Sequence, residues 1–235
     1  IMLRACLYLL FLVPWTLLLA LFAMLSTFID RSGKTYHWLA LQWSKGCLSA
    51  AGVRLIVEGT EHLPNDRPLI FMGNHQSYFD VAVLFQATTL PFTWLAKEEL
   101  FRIPVFGHSI RAAGYIPIKR GNGRESLKSL NRAAELVRAG RSVAIFPEGT
   151  FTHDGNLLPF KRGGFILAEM SEVPIAPFSI SGAMKINPPD NLFSLRPGVI
   201  KIRFSPVIEI DAGTARHPTV LMEQVRMAIA SGLEI

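Results

Sequence analysis

Leu69-Ile70-Phe71-Met72-Gly73-Asn74-His75-Gln76-Ser77-Tyr78-Phe79-Asp80 runs from a short apolar stretch through a polar cluster into a helical pattern. The apolar stretch Leu69–Met72 reads as a strand buried on both faces, and Tyr78–Gln86 reads as a helix. Ser77 is placed to cap that helix, and Asp80 falls three residues after it, as in a capping box. A strand that delivers polar residues straight into a helix start is the place where α/β folds collect ligands.

Outward from this unit the same alternation repeats. Further candidate strands are Val53–Glu58, Phe92–Ala96, Tyr115–Ile118, Ser142–Phe146, Ile175–Ile180, Val199–Phe204 and Val207–Ile210. Between them lie helical patterns at Glu98–Ala113 (interrupted at Pro104), Glu125–Ala139, Gly163–Ser171 and Thr219–Ser231. The clearest is Glu125–Ala139, with Leu127, Leu130, Ala134 and Val137 on one face and Gly140 as a stop. Strands alternating with helices predict an α/β fold with a largely parallel sheet flanked by helices. There is no internal repeat and no low-complexity stretch.

The N-terminus is of another kind. The chain has 235 residues, 50% of them hydrophobic and 18% charged, and its mean hydropathy is +0.31. No charged residue stands between Arg4 and Asp30, a run of about 25 positions that is long enough to cross a bilayer as a helix. Pro14 bends such a helix without forbidding it. A second helical pattern, Tyr36–Ala51, is amphipathic, and its Tyr36, Trp38 and Trp43 suit the headgroup level. Three readings of the first segment stay open: a cleaved signal peptide, a single spanning helix, and a helix that enters one leaflet and returns. The first is disfavoured by the length of the run and the lack of a small-x-small cleavage site. The expected organisation is therefore an N-terminal apolar helical pair for membrane attachment over residues 1–52, and an α/β domain over residues 53–235.

A formal net charge of +6 with a pI near 9.6 suits anionic headgroups and phosphorylated substrates. No nucleic acid partner is expected, because no Lys/Arg-rich run interleaves with aromatics. Cys6 and Cys47 both lie in the N-terminal segment and make no disulfide framework. No metal is expected, since the six histidines and two cysteines show no zinc-type ligand spacing.

Three polar clusters follow predicted strands, and a fourth follows a short apolar stretch. In the first, His75 is a candidate general base and Asp80 a candidate partner that holds its tautomer. The plainer alternative, a turn histidine beside a capping acid, fits the same short spacing. Phe146-Pro147-Glu148-Gly149-Thr150 places an acid at the end of another strand, to orient a substrate hydroxyl or to sit in a solvated turn. Tyr115–Ile118 ends in Lys119-Arg120, and Leu157-Leu158-Pro159-Phe160 leads to Lys161-Arg162-Gly163-Gly164; each is a cationic turn suited to phosphate or to plain solvent.

Taken in order, the set is Asn74-His75 with Asp80 five residues after the histidine, a strand ending in Lys119-Arg120, Phe146 to Thr150, Asp154 to Gly164, and a strand containing Pro177. Over Val53 to Gly182 it resembles the glycerolipid acyltransferase family, in particular the bacterial 1-acyl-glycerol-3-phosphate acyltransferases (lysophosphatidate acyltransferases). The resemblance implies His75 as catalytic base with Asp80 as its orienting partner. It implies Arg120 as a phosphate-binding residue with Lys119 as helper, and Glu148, Gly149 and Thr150 as contacts to the glycerol phosphate portion. Pro177 falls on the acyl side of the site. Many relatives carry an Arg directly after the Glu-Gly-Thr/Ser; here that position is Phe151, and Lys161 or Lys119 is the candidate replacement.

The implied reaction moves an acyl group from acyl-CoA or acyl-ACP, as co-substrate, to the sn-2 hydroxyl of lysophosphatidic acid, with no further cofactor. A different lyso-lipid acceptor, such as a lyso-ornithine lipid, is the alternative that Phe151 keeps open. The implied partners are the lysophospholipid, the acyl thioester, membrane lipids and an acyl carrier protein. The implied location is the cytoplasmic face of the bacterial inner membrane. No Gly-x-Ser-x-Gly elbow occurs, so direct transfer is favoured over an acyl-enzyme.

Overall fold

The computed structural model of the chain describes residues 2–26, 30, 34–119, 123–210 and 218–234. Among the described residues, seven strands form one sheet in the order β1-β7-β6-β2-β5-β3-β4. They are β1 Val53–Glu58, β2 Ile70–Gly73, β3 Phe92–Lys97, β4 Ile116–Ile118, β5 Ser142–Ile145, β6 Ile175–Ser181 and β7 Gly198–Phe204. Every neighbouring pair is parallel except β6–β7. All positions of β2 and β6 are buried, which is why β2 reads as an unbroken apolar run and β6 as an apolar run broken only by Ser179 and Ser181.

Helices cover both faces. On one lie α1 (Met2–Ser26), α2 (Lys34–Ala51), α3 (Phe79–Ala87), α4 (Phe106–Ala112) and the short α7 (Ala183–Ile186). There Phe71, Phe79, Trp94, Phe178 and Phe204 share one core with Ala5, Cys47, Leu48 and Ala51. On the other lie α5 (Gly123–Arg138), α6 (Gly163–Ser171) and α8 (Pro218–Ser231), burying Leu130, Ala134, Val137, Phe165, Leu221 and Val225 against Ile70 and Met72. Each such aliphatic or aromatic side chain contributes about 1.5–3 kcal/mol on full burial. Gly73 has a steric reason: a Cβ there would sit 2.1 Å from the ring of Phe178 on the adjacent strand.

The N-terminal pair folds back on itself. Trp43 Nε1 donates to Thr16 Oγ1 at 3.0 Å, and Arg4 donates to the Ala51 carbonyl at 2.8 Å, tying the start of α1 to the end of α2. Helix α1 is long and apolar enough to cross a membrane, and it leaves Leu3, Leu7, Leu10, Leu17, Leu21 and Phe22 exposed. Those side chains have no protein core to enter.

Two expectations are corrected. Val207–Ile210 is not a strand: it makes one antiparallel bridge, Ile175 with Ile208, because Pro206 has no N–H to give and β7 already flanks the rest of β6. Leu127 belongs to the predicted apolar face of α5 but is 49% exposed; the buried stripe starts one turn later, at Leu130.

Candidate active site

Register assembles the site. Pairing of β2 with β5 sets Met72 opposite Ile145, so the chain leaves both strands side by side. Gly73-Asn74-His75 therefore emerges next to Phe146-Pro147-Glu148. Asn74 is buried and acts as a stand-in for strand backbone: its Nδ2 donates to the Ile180 carbonyl at 2.9 Å, and its Oδ1 accepts the Ile180 N–H at 2.7 Å.

The backbone of His75 is held on both sides by the neighbouring loop. Its N–H donates to Glu148 Oε1 at 2.9 Å, and its carbonyl accepts the Thr152 N–H at 2.9 Å. Its ring Nδ1 lies 2.9 Å from Asp80 Oδ2. The same carboxylate oxygen accepts the Gln76 N–H at 2.6 Å and the Ser77 N–H at 2.8 Å. Asp80 is fully buried, in the first turn of α3, where unpaired backbone N–H groups favour a negative charge. The Ser77 N–H bond is the reach-back arm of a capping box. Ser77 Oγ accepts only a long 3.3 Å bond from Phe79 N–H and gives its own proton to the Asn187 carbonyl at 2.8 Å. The turn and the capping acid are thus the same device as the His–Asp pair. With Nδ1 committed to a carboxylate, Nε2 is the ring nitrogen left to take a proton.

Two phenyl rings clasp the imidazole. Phe146 stacks on it with centroids 3.8 Å apart and planes 3° from parallel, and Phe151 lies at 4.0 Å. Two rings this close to a third cannot share one of its faces, so they take opposite sides. Trp94 stacks in turn on Phe146 at 5.0 Å, and Tyr78 packs on Phe151 at 4.7 Å.

Glu148 is buried, with both oxygens engaged: Oε1 by His75 N–H and Oε2 by Leu158 N–H at 2.7 Å. Burial pushes its carboxyl above the usual range, against those two N–H bonds, which favour the anion. Leu158 is held from its other side by Arg226 of α8, whose guanidinium donates to the Leu158 and Leu157 carbonyls at 2.9 and 3.0 Å.

A cavity of about 910 Å³ opens at this end of the sheet and is lined by His75, Tyr78, Trp94, Gly149, Phe151 and Lys161, among others. A residue with a Cβ at position 149 would place that atom 2.9 Å from Cδ and 3.0 Å from Nζ of Lys161. Gly149 also has φ +69°, the left-handed region. Glycine there lets the lysine cross toward the cavity.

A family model described as Acyltransferase matches residues 54–181, more than half of the chain, including His75, Asp80, Glu148 and Lys161. The chain belongs to the acyltransferase family. Among curated relatives, a chloroplastic 1-acyl-sn-glycerol-3-phosphate acyltransferase of Arabidopsis thaliana is 30% identical over 203 residues, which is 86% of this chain and 55% of that protein. A chloroplastic protein of the same description from Brassica napus is 34% identical over 72% of this chain and 49% of its own length. One from Borreliella burgdorferi is 34% identical over 55% of this chain and 52% of its own length. The chain thus spans about half the length of the curated relatives it matches. The fold matches the crystal structure of the 1-acyl-sn-glycerophosphate acyltransferase PlsC from Thermotoga maritima, with a TM-score of 0.82 over 98% of this chain and 93% of that one, at 23% identity.

Within the family's frame the sequence-derived residues separate. His75, Gly149, Thr150 and Lys161 line the cavity, and Asp80 and Glu148 stand directly behind His75. Lys119 is exposed at the end of β4 and is not among the lining residues. Pro177 sits inside β6 opposite Met72, buried and likewise away from the lining. Arg120 lies outside the described residues. Sequence reasoning missed the amide of Asn74, the clasp of Phe146 and Phe151, the Thr152 bond and Arg226. Asn74 and Phe146 stood in the quoted motifs; nothing in the sequence marked Arg226.

Proposed function

We propose that this chain transfers a fatty acyl group from an acyl thioester, acyl-CoA or acyl-ACP, to the sn-2 hydroxyl of lysophosphatidic acid, giving phosphatidic acid. The observation that carries this reading is the Asp80–His75 pair at 2.9 Å, set at the wall of a large, mostly apolar cavity. The relatives, described as 1-acyl-sn-glycerol-3-phosphate acyltransferases, point to the same reaction.

Nε2 of His75 removes the proton of the acceptor hydroxyl as its oxygen attacks the thioester carbonyl carbon. The C–O bond forms, a tetrahedral oxyanion collapses, and the C–S bond breaks. The thiolate leaves with the proton held by the imidazolium, so the products are an ester and a thiol. Asp80 stabilises the imidazolium between the two steps. Glu148 acts through His75 and the Leu158 loop, whose N–H groups occupy its oxygens. Lys161, with Arg120, supplies the cations for the acceptor phosphate.

Residues 1–52 attach the domain, residues 53–235, to the cytoplasmic face of a bacterial inner membrane. The lysolipid then keeps its chain in lipid, where each methylene is worth about 0.8 kcal/mol, while the headgroup reaches His75.

The test follows thiol release from palmitoyl-CoA by the full chain in mild detergent, with and without lysophosphatidic acid, beside His75→Ala. Acceptor-dependent release that is lost in the variant supports the reading. Release without acceptor means that water, not a lipid, is the nucleophile.

A further inference from the structure

Two exposed apolar tips outside the core adjoin the cavity wall through Leu100 and Leu192. The segment between β3 and α4 leaves Leu100, Ile103 and Val105 exposed at 39%, 45% and 36%. Val105 is held at φ 63°, which a β-branched residue adopts only under strain. Across it the Phe106 N–H donates to the Pro104 carbonyl at 2.7 Å, a tight three-residue turn. The chain accepts that strain while pointing Ile103, Pro104 and Val105 outward. The second tip is Leu192-Phe193, 51% and 49% exposed, in the loop between α7 and β7. Its backbone is pinned by the Phe193 N–H to Asn191 Oδ1 bond at 3.1 Å.

Single exposed aliphatic residues are ordinary; the position of these is not. Helix α4 packs against α1, and Leu100 and Leu192 line the same cavity as Leu9 and Leu12 of α1. The cavity wall therefore includes α1 and one residue next to or within each tip. Exposed Arg102, His108 and Arg111 stand beside the first tip, with Arg102 3.6 Å from Glu98 and Glu99 exposed nearby. Exposed Lys185 and Arg196 stand beside the second, whose Asp190 faces His153, so basic side chains outnumber acidic ones at both. Apolar tips flanked by cations suit the boundary between acyl chains and anionic headgroups.

We propose that the Ile103–Val105 turn and the Leu192–Phe193 loop insert into the lipid interface beside α1, so that the cavity opens onto the bilayer rather than onto water. This rests on the reading of α1 as membrane-embedded and adds two contacts to it. An acceptor then enters sideways, its headgroup passing between the tips while its chain stays in lipid.

The test places an environment-sensitive nitrobenzoxadiazole label at single cysteines in a Cys6→Ala/Cys47→Ala background of the full chain, bound to phosphatidylethanolamine–phosphatidylglycerol vesicles. Sites are Ile103→Cys, Phe193→Cys, Leu10→Cys on α1, and Met227→Cys, an exposed apolar residue of α8 on the opposite face of the sheet. Labels at 103 and 193 are expected to be quenched by doxyl-labelled lipid and shielded from iodide, as at position 10, while the label at 227 is open to iodide. If 103 and 193 behave like 227 while 10 is shielded, the inference fails and membrane attachment by α1 stands. If 10 is also open to iodide, both fall. As a second readout, Ile103→Glu/Phe193→Glu is expected to lose roughly tenfold in turnover of a vesicle-embedded acceptor but little with a micellar one. Equal loss in both would overturn the proposal.

Discussion

Glu148 and His75 stand 73 positions apart in the chain, and the carboxylate of the first accepts the backbone N–H of the second at 2.9 Å. Because the other Glu148 oxygen takes the Leu158 N–H, one buried acid fixes the histidine's backbone and the loop that follows it. The ring is fixed separately, by Asp80 and the two phenyl rings. Backbone and ring thus have separate restraints, which can be broken one at a time.

Glu148→Gln keeps one acceptor but turns an NH2 group toward the other N–H, so one of the two anchors is lost. Turnover should fall by about 10- to 100-fold, with a smaller change in KM, through misplacement of His75. Stability has a pH signature. Burial raises the folded carboxyl above the reference value of 4.5, so between that value and its folded pKa the folded state binds more protons than the unfolded one. Its contribution is therefore present at low pH and lost as pH rises through the folded pKa. Thermal unfolding at pH 5 and pH 7 should show wild type gaining on the variant at the lower pH; an equal gap at both would contradict it.

Asp80→Asn can offer its carbonyl oxygen to the three donors that meet Asp80 Oδ2, so the fold should persist. The lost charge leaves the imidazolium unsupported, and acceptor-dependent thiol release should drop by about 10²- to 10⁴-fold. A variant within threefold of wild type would remove Asp80 from the mechanism.

Phe151→Ala removes one jaw of the clasp at 4.0 Å and frees the ring of His75 to turn. Turnover should fall about tenfold, while Phe151→Leu, which keeps most of the bulk, should lose less. The ordering of the two variants is the test.

Lys161→Ala should raise KM for lysophosphatidic acid by about tenfold or more, as loss of a charged contact worth about 1.5–3 kcal/mol implies, with a smaller effect on turnover. Gly149→Ala should act the same way, because its Cβ would collide with the Lys161 side chain. An unchanged KM in both would put the acceptor's phosphate elsewhere.

Asn74→Ala leaves the buried N–H and carbonyl of Ile180 without their partner. Each such group costs about 1–3 kcal/mol, so a clear drop in Tm is expected, beyond that of Lys161→Ala.

Much of this is legible in the sequence. The strands β2, β5 and β6 read as mostly apolar runs without strict alternation because both faces of the sheet are covered, and that pattern is visible in one dimension. The His75–Asp80 pair was legible too, since a turn that enters a helix brings residues five apart together through local geometry alone. Val207–Ile210 misled because strand propensity does not say whether a pairing edge is free, and Leu127 because periodicity does not say where a helix meets the sheet.

The sequence by itself determined the α/β alternation, the apolar α1 and which residue types stand at the strand ends, because these follow from local pattern and from nearest-neighbour chemistry. Tertiary structure alone decided that Glu148 holds His75, that Phe146 and Phe151 clasp it, and that Arg226 braces the loop. It also decided that Lys161 rather than Lys119 lines the cavity. Those are contacts between segments tens of residues apart, set by strand order and by the register of β2 on β5, and no local preference encodes either.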